Sequence, residues 1–343
     1  MAYPDEVLGS ALRAFSLAAL GMAASSCSAA HAQAPDPLGF HLEVADPLLQ
    51  HSMGATIPFS ARPRLNLDAV WWSAPRDESL KRLADRWGAD EDELLELNPD
   101  LADDGAQRGQ RVVIYRFEPG TVSRSVGAPN RGRIENSAPF PVGDGWTLRG
   151  YRPRSYATRQ TVKELATSLA EWRERHPEAN PVKLGEFSRR GGGRVRPHKS
   201  HRTGRDVDIG YVMNEPDEGH RFVTVTDSNL DAAATWGLVQ RLVAGGAVES
   251  IFMAKSVQEQ LIPFAALTMS ESEQRSLFST LEPDARAKKK TVIRAWRGHD
   301  DHMHVRFACT EADLRCSGAV QRKKKRRRKK RRHTKKRRRG RKA

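Results

Sequence analysis

The chain has 343 residues, of which 38% are hydrophobic, 7% aromatic and 29% charged, with only three cysteines. This composition supports a packed core, excludes both wholesale disorder and a disulfide-stapled miniprotein, and has a length that suits two or three modest domains. The formal charge of +16 belongs to one end. Residues 322–343 hold 18 Lys or Arg and no acid, so the remainder carries −2 and lacks the basic excess of a nucleic-acid-binding domain.

In chain order, Ala11 to Ala24 is a weakly polar run interrupted by Arg13 and Ser16. It is too short for a transmembrane helix but has the length of a secretory h-region. Ala30-His31-Ala32 offers a cleavage point before Gln33, so residues 1–32 read as an export signal for a periplasmic protein. Cys27, behind Ala24-Ser25-Ser26, is an alternative lipid acceptor. Residues 33–69 read as a linker.

Val70-Trp71-Trp72 suggests a strand, and Leu80, Leu83, Ala84 and Trp87 share a helical face that Gly88 ends. A second short helix carries Leu94, Leu95 and Leu97 and stops at Asn98-Pro99, before the strand Val112-Val113-Ile114-Tyr115. Residues 70–116 thus predict a small βααβ unit, too small for complex chemistry and suited to binding. Asp77-Glu78-Ser79-Leu80, Leu83-Ala84, Trp87-Gly88, Leu94, Asn98-Pro99 and Gly109-Gln110 give it a resemblance to a LysM module. That resemblance implies binding of N-acetylglucosamine-containing glycans, chiefly peptidoglycan. Asp77 stands where the LysM pattern has Gly. Residues 117–143, punctuated by Pro119-Gly120, Gly127, Pro129, Pro139 and Pro141, read as a second linker.

Five of the eleven histidines fall in two short windows. The first, Pro197-His198-Lys199-Ser200-His201-Arg202-Thr203-Gly204, reads as a loop leading into Asp206-Val207-Asp208-Ile209-Gly210-Tyr211. As a strand, that segment puts Asp206 and Asp208 on one face and Val207 and Ile209 on the other. The second window contains His299 and then the alternating stretch His302-Met303-His304-Val305-Arg306-Phe307, a strand whose polar face carries His302, His304 and Arg306. Two imidazoles on one strand with a His and an Asp from another segment form the N/O ligand set of a catalytic Zn²⁺ site. A structural zinc would recruit cysteines, and neither window has one. The residues alone leave the choice between Asp206 and Asp208 open.

Ser188-Arg189-Arg190-Gly191-Gly192-Gly193, the stretch from Pro197 to Gly210, and Gly298-His299-Asp300-Asp301-His302-Met303-His304-Val305-Arg306 resemble the penicillin-insensitive murein endopeptidases over residues 125–317. The resemblance implies an α+β zinc-peptidase domain over 144–317 with a central antiparallel sheet and flanking helices at 161–175 and 230–244. It implies zinc held by His201, Asp208 and His304. His302 is then placed to take the proton of water and pass it to the leaving amine, and His299 to stabilise the developing oxyanion. His198 is a candidate for a second metal or for substrate. The implied reaction is cleavage of the D-alanyl-meso-diaminopimelate crosslink, insensitive to penicillin because no serine acyl-enzyme forms. The family also carries a cysteine pair matching Cys309 and Cys316, which implies a disulfide.

Three other readings stay open: a D-Ala-D-Ala carboxypeptidase with the same metal set, a non-catalytic wall-binding protein, and nucleic-acid binding motivated solely by the tail. For the polybasic tail over 318–343, a solvated segment adhering to an anionic envelope polymer or lipid is the expectation.

Overall fold

The structure is a computed structural model that describes residues 67–317, apart from 102–104, 150, 151 and 218. The expected export signal, the Cys27 lipid site and the polybasic tail lie outside these residues. Among the described residues no helix is long and apolar enough to cross a membrane.

The first unit is the expected βααβ arrangement. Strand β1 (Ala69–Ser73) pairs antiparallel with β2 (Arg111–Arg116), and helices α1 (Leu80–Trp87) and α2 (Glu91–Leu97) lie between them in the chain. Local signals set these boundaries. Ser79 caps α1 by accepting from the Arg82 amide, Gly88 ends it in the left-handed region, and Asp90 caps α2. Leu83, Trp87, Leu94, Val112 and Ile114 fill a small core. Asn98 closes the unit: its side-chain amide donates to the Val113 carbonyl and accepts from the Val113 amide.

Residues 117–143 are not a featureless linker. Strands β3 (Arg124–Ala128) and β4 (Arg131–Glu135) form a hairpin around Pro129-Asn130, and β5 (Ala138–Pro139) pairs with β7 (Tyr156–Ala157). The Gly and Pro residues that suggested a linker are the turn and edge residues of this hairpin and its neighbour.

The main sheet has six strands in the order β11 (Ile293–Ala295), β10 (Val248–Met253), β12 (His302–Phe307), β9 (Asp206–Gly210), β8 (Val182–Leu184) and β6 (Trp146–Leu148). The expectation of an antiparallel sheet holds for the central four strands only. The outer pairs, β10 with β11 and β6 with β8, are parallel, so the sheet is mixed. Parallel pairing needs a long crossover, and the chain supplies one at each edge. Helix α3 (Arg159–Arg175) lies between β6 and β8, and α5 (Lys255–Ala266) with α6 (Glu271–Leu277) between β10 and β11. Helix α3 starts two residues before its predicted bound, where Thr158 accepts from the Thr161 amide. Helix α4 (Ala232–Ala244) starts after the Asp231 cap.

Period two in β9 and β12 divides the molecule chemically. Val207, Ile209, Met303 and Val305 join Val162, Leu165, Leu169 and Trp172 of α3 and Leu238, Val239 and Leu242 of α4 in the main core. The opposite face carries Asp206, Asp208, His302, His304 and Arg306.

Candidate metal centre

The register between β9 and β12 assembles the polar face: His304 stands opposite Asp208, Arg306 opposite Asp206, and His302 opposite Gly210. The first histidine window supplies the rest from above the sheet. His201 enters in the left-handed backbone region, with φ 60°, unusual for a residue with a side chain and suited to a sharp turn. Just beyond it Gly204, at φ 70°, packs so closely on the start of α3 that an added Cβ would lie 2.6 Å from the Thr158 amide nitrogen. Ser188 ties this loop down, donating to the His201 carbonyl and accepting from the Gly204 amide.

All five window histidines converge. Ring centroids lie 4.8 Å apart for His198 and His201, 4.7 Å for His201 and His304, 4.9 Å for His299 and His302, and 6.1 Å for His299 and His304. Asp208 is the hub. Its Oδ1 is 2.9 Å from His304 Nδ1, 3.2 Å from His201 Nε2 and 3.8 Å from His302 Nε2, and its Oδ2 is 3.5 Å from His198 Nδ1. Asp206 plays a different part: its Oδ1 faces His304 Nε2 at 2.9 Å and accepts from Arg306 Nε at 2.7 Å. The geometry thus separates the two carboxylates that periodicity left equivalent. Asp208 touches three imidazoles of the cluster within 3.5 Å, while Asp206 is paired with a buried guanidinium.

The electrostatics follow. Burial would raise both carboxylates, yet Arg306 and His304 hold Asp206, and His201 and His304 hold Asp208, well below the ordinary range. Burial opposes charge on His304, but its hydrogen bonds to Asp206 and Asp208 outweigh that and raise its pKa from 6.5 to about 9. His198 is lowered by burial and by neighbouring His201, and His299 by burial and by His302.

The cluster can hold a metal ion. One ligand atom each of His198, His201 and Asp208 lie within 4.8 Å of one another. The decisive observation is that His201, which is 0% exposed, and Oδ2 of Asp208 are buried with no hydrogen bond of good geometry: His201 Nε2 and Asp208 Oδ2 face only cluster atoms, Asp208 Oδ1 at 3.2 Å and His198 Nδ1 at 3.5 Å. Such orphaned groups cost about 1–3 kcal/mol each, which coordination of a cation would offset. Imidazole nitrogen with carboxylate oxygen is a donor set that zinc accepts.

Three neighbours of this cluster carried no expectation. Asp301 Oδ1 lies 2.5 Å from His302 Nδ1 and orients that ring. Glu186 Oε2 lies 3.8 Å from His198 Nε2. Phe222 stacks on His302 with centroids 4.9 Å apart and 18° between planes. Asp301 sits inside the quoted histidine motif and was findable there; Glu186 and Phe222 arrive from loops with no spacing signal. Beyond the strand, Cys309 and Cys316 form a disulfide.

A family model described as penicillin-insensitive murein endopeptidase matches residues 125–330. No curated protein matches the chain. The match covers more than half of the sequence and contains both histidine windows, both aspartates and the cysteine pair. On that match, the chain belongs to the penicillin-insensitive murein endopeptidase family.

Proposed function

We propose that this murein endopeptidase is a zinc enzyme that hydrolyses the D-alanyl-meso-diaminopimelate crosslink of peptidoglycan in the periplasm. The observation that carries the reading is the fully buried convergence of His201, Asp208 and His304, in which His201 and Asp208 Oδ2 make no hydrogen bond of good geometry and face ligand atoms of the cluster instead. His201, Asp208 and His304 would hold the ion, with His198 at the rim as a contact for substrate or a second cation. Bound there, Zn²⁺ supplies Lewis acidity, polarising a peptide carbonyl and making water a competent nucleophile near neutral pH.

The remaining work falls to side chains of the chain itself. Asp206, neutralised by Arg306, accepts from His304 Nε2 and so fixes the ring with Nδ1 towards Asp208. Asp301 holds His302 Nδ1, which leaves Nε2 directed to the Asp208 side of the cluster. In that orientation His302 takes a proton from the attacking water and returns it to the leaving amine. His299, half-buried beside His302 and His304, is positioned to donate to the developing oxyanion.

The βααβ unit, by its LysM-like pattern, is proposed to bind the glycan strands, and the basic tail to adhere to anionic envelope polymer. Digestion of purified crosslinked peptidoglycan, with products identified by mass spectrometry, tests the reaction. Conversion of crosslinked dimers to monomers, abolished by a chelator and unaffected by penicillin, is expected, with His302→Ala lowering kcat about 10²–10⁴-fold. Release of terminal D-alanine alone would shift the assignment to a carboxypeptidase, and inactive protein that binds the wall would leave a binding role only.

A further inference from the structure

We propose that Phe222 is a positioning residue for His302, seated for that purpose by two glycines and one arginine. The inference rests on the assignment of His302 as the proton-transferring group.

His302 is held at one edge by Asp301 and touched by the tilted His299 ring, contacts that leave the imidazole plane free to rock about the hydrogen bond. The Phe222 ring removes that freedom by lying nearly parallel on the imidazole, at 18°. The Arg149 guanidinium also lies over the Phe222 ring, 4.1 Å from its centroid. Arg149 in turn donates from Nε to the His220 carbonyl, two residues before Phe222. Lys183 on β8 secures the same loop through Asp217 and the Gly219 carbonyl.

The floor beneath the ring is made of glycine. A Cβ added to Gly185 would lie 2.5 Å from Phe222 Cζ, and one added to Gly210 would lie 3.0 Å from Phe222 Cδ1. Neither glycine adopts a left-handed backbone, so backbone conformation does not require glycine at either position. What both positions require is room for the ring. Gly210 is also the residue paired with His302 across β9 and β12, so the seat and the histidine are parts of one strand register.

The holoenzyme Phe222→Ala variant tests this, with kinetics on a soluble crosslinked muropeptide and NMR of the His302 ring protons. The expected result is a kcat lowered about 10- to 100-fold with KM within about twofold and zinc content unchanged, as a misdirected proton-transfer group requires. The His302 ring protons should move downfield as the aromatic face above them is lost. Gly185→Ala, whose Cβ would lie 2.5 Å from Phe222 Cζ and 3.3 Å from Asp208 Cβ, should lower kcat in the wild-type background and add little in the Phe222→Ala background, where the tighter of the two contacts is gone. A rise in KM at constant kcat, or unmoved His302 resonances, would overturn the proposal. Wild-type protein that fails to cleave the muropeptide would refute the assigned reaction, while the NMR shift would still decide whether Phe222 stacks on the His302 ring.

Discussion

At the scale of single residues, the two aspartates of β9 show how strand periodicity and the surrounding charges divide the information. Alternation places Asp206 and Asp208 on one face but says nothing about which neighbour each meets. The strand register settles it, giving Arg306 to Asp206 and the imidazoles to Asp208. Two predictions follow from this division. Asp206→Asn should weaken zinc binding about 10- to 100-fold, the usual effect of losing a carboxylate behind a histidine ligand, and also lower stability by leaving the buried Arg306 without its carboxylate; unchanged affinity in a chelator competition would contradict the role. Arg306→Met should instead cost about 3–5 kcal/mol in urea unfolding, because it leaves the buried Asp206 charge uncompensated by its guanidinium. A loss under 1 kcal/mol would mean that His304 alone satisfies that carboxylate. The five histidines of the cluster and both aspartates were legible in the sequence as a converging group because strand alternation and motif spacing are local. Glu186, Phe222 and Arg149 were not, because their places depend on loops whose course is set by tertiary packing.

At the scale of elements, helices α1 to α4 and strands β1, β2, β9 and β12 were readable from the sequence, while the strands that complete the sheets and helices α5 and α6 were not. The parallel edges of the sheet depend on how segments pair at a distance, which composition does not encode, while the β3–β4 hairpin is local but carries a weak strand pattern. Turn residues such as Gly127 and Pro129 look alike in a hairpin and in a linker. The segment after β12 illustrates the consequence. Leu314 exchanges backbone hydrogen bonds with Ser125 and Gly127 of β3, Asp313 accepts from the Ser125 amide, and the disulfide between Cys309 and Cys316 closes this loop. From the loop length, the Cys309→Ser, Cys316→Ser double variant should lose about 2 kcal/mol of stability with zinc content retained. Loss of zinc with the disulfide would instead place the loop in the metal site's support.

At the scale of the molecule, the βααβ unit is built onto the peptidase domain. Tyr115, Phe117 and Leu148 pack against both cores. Arg152 lies over Trp87 at 5.0 Å, Arg190 pairs with Glu93 at 2.6 Å, and Arg159 donates to the Tyr115 hydroxyl. Shared apolar contacts of this kind couple unfolding, so calorimetry should show one transition, and deletion of residues 67–116 should destabilise the peptidase domain. Two separated transitions would show that the contacts are dispensable. Metal binding by the cluster at β9 and β12 underlies the proposed reaction. Its most direct test is the zinc content of purified protein, wild type against His201→Ala, with crosslink cleavage followed in the same samples. One tightly held zinc per chain is expected in the wild type, and loss of both metal and cleavage in the variant. Full zinc content and activity in His201→Ala would contradict that expectation, since the buried nitrogens on which the site is built would then hold nothing.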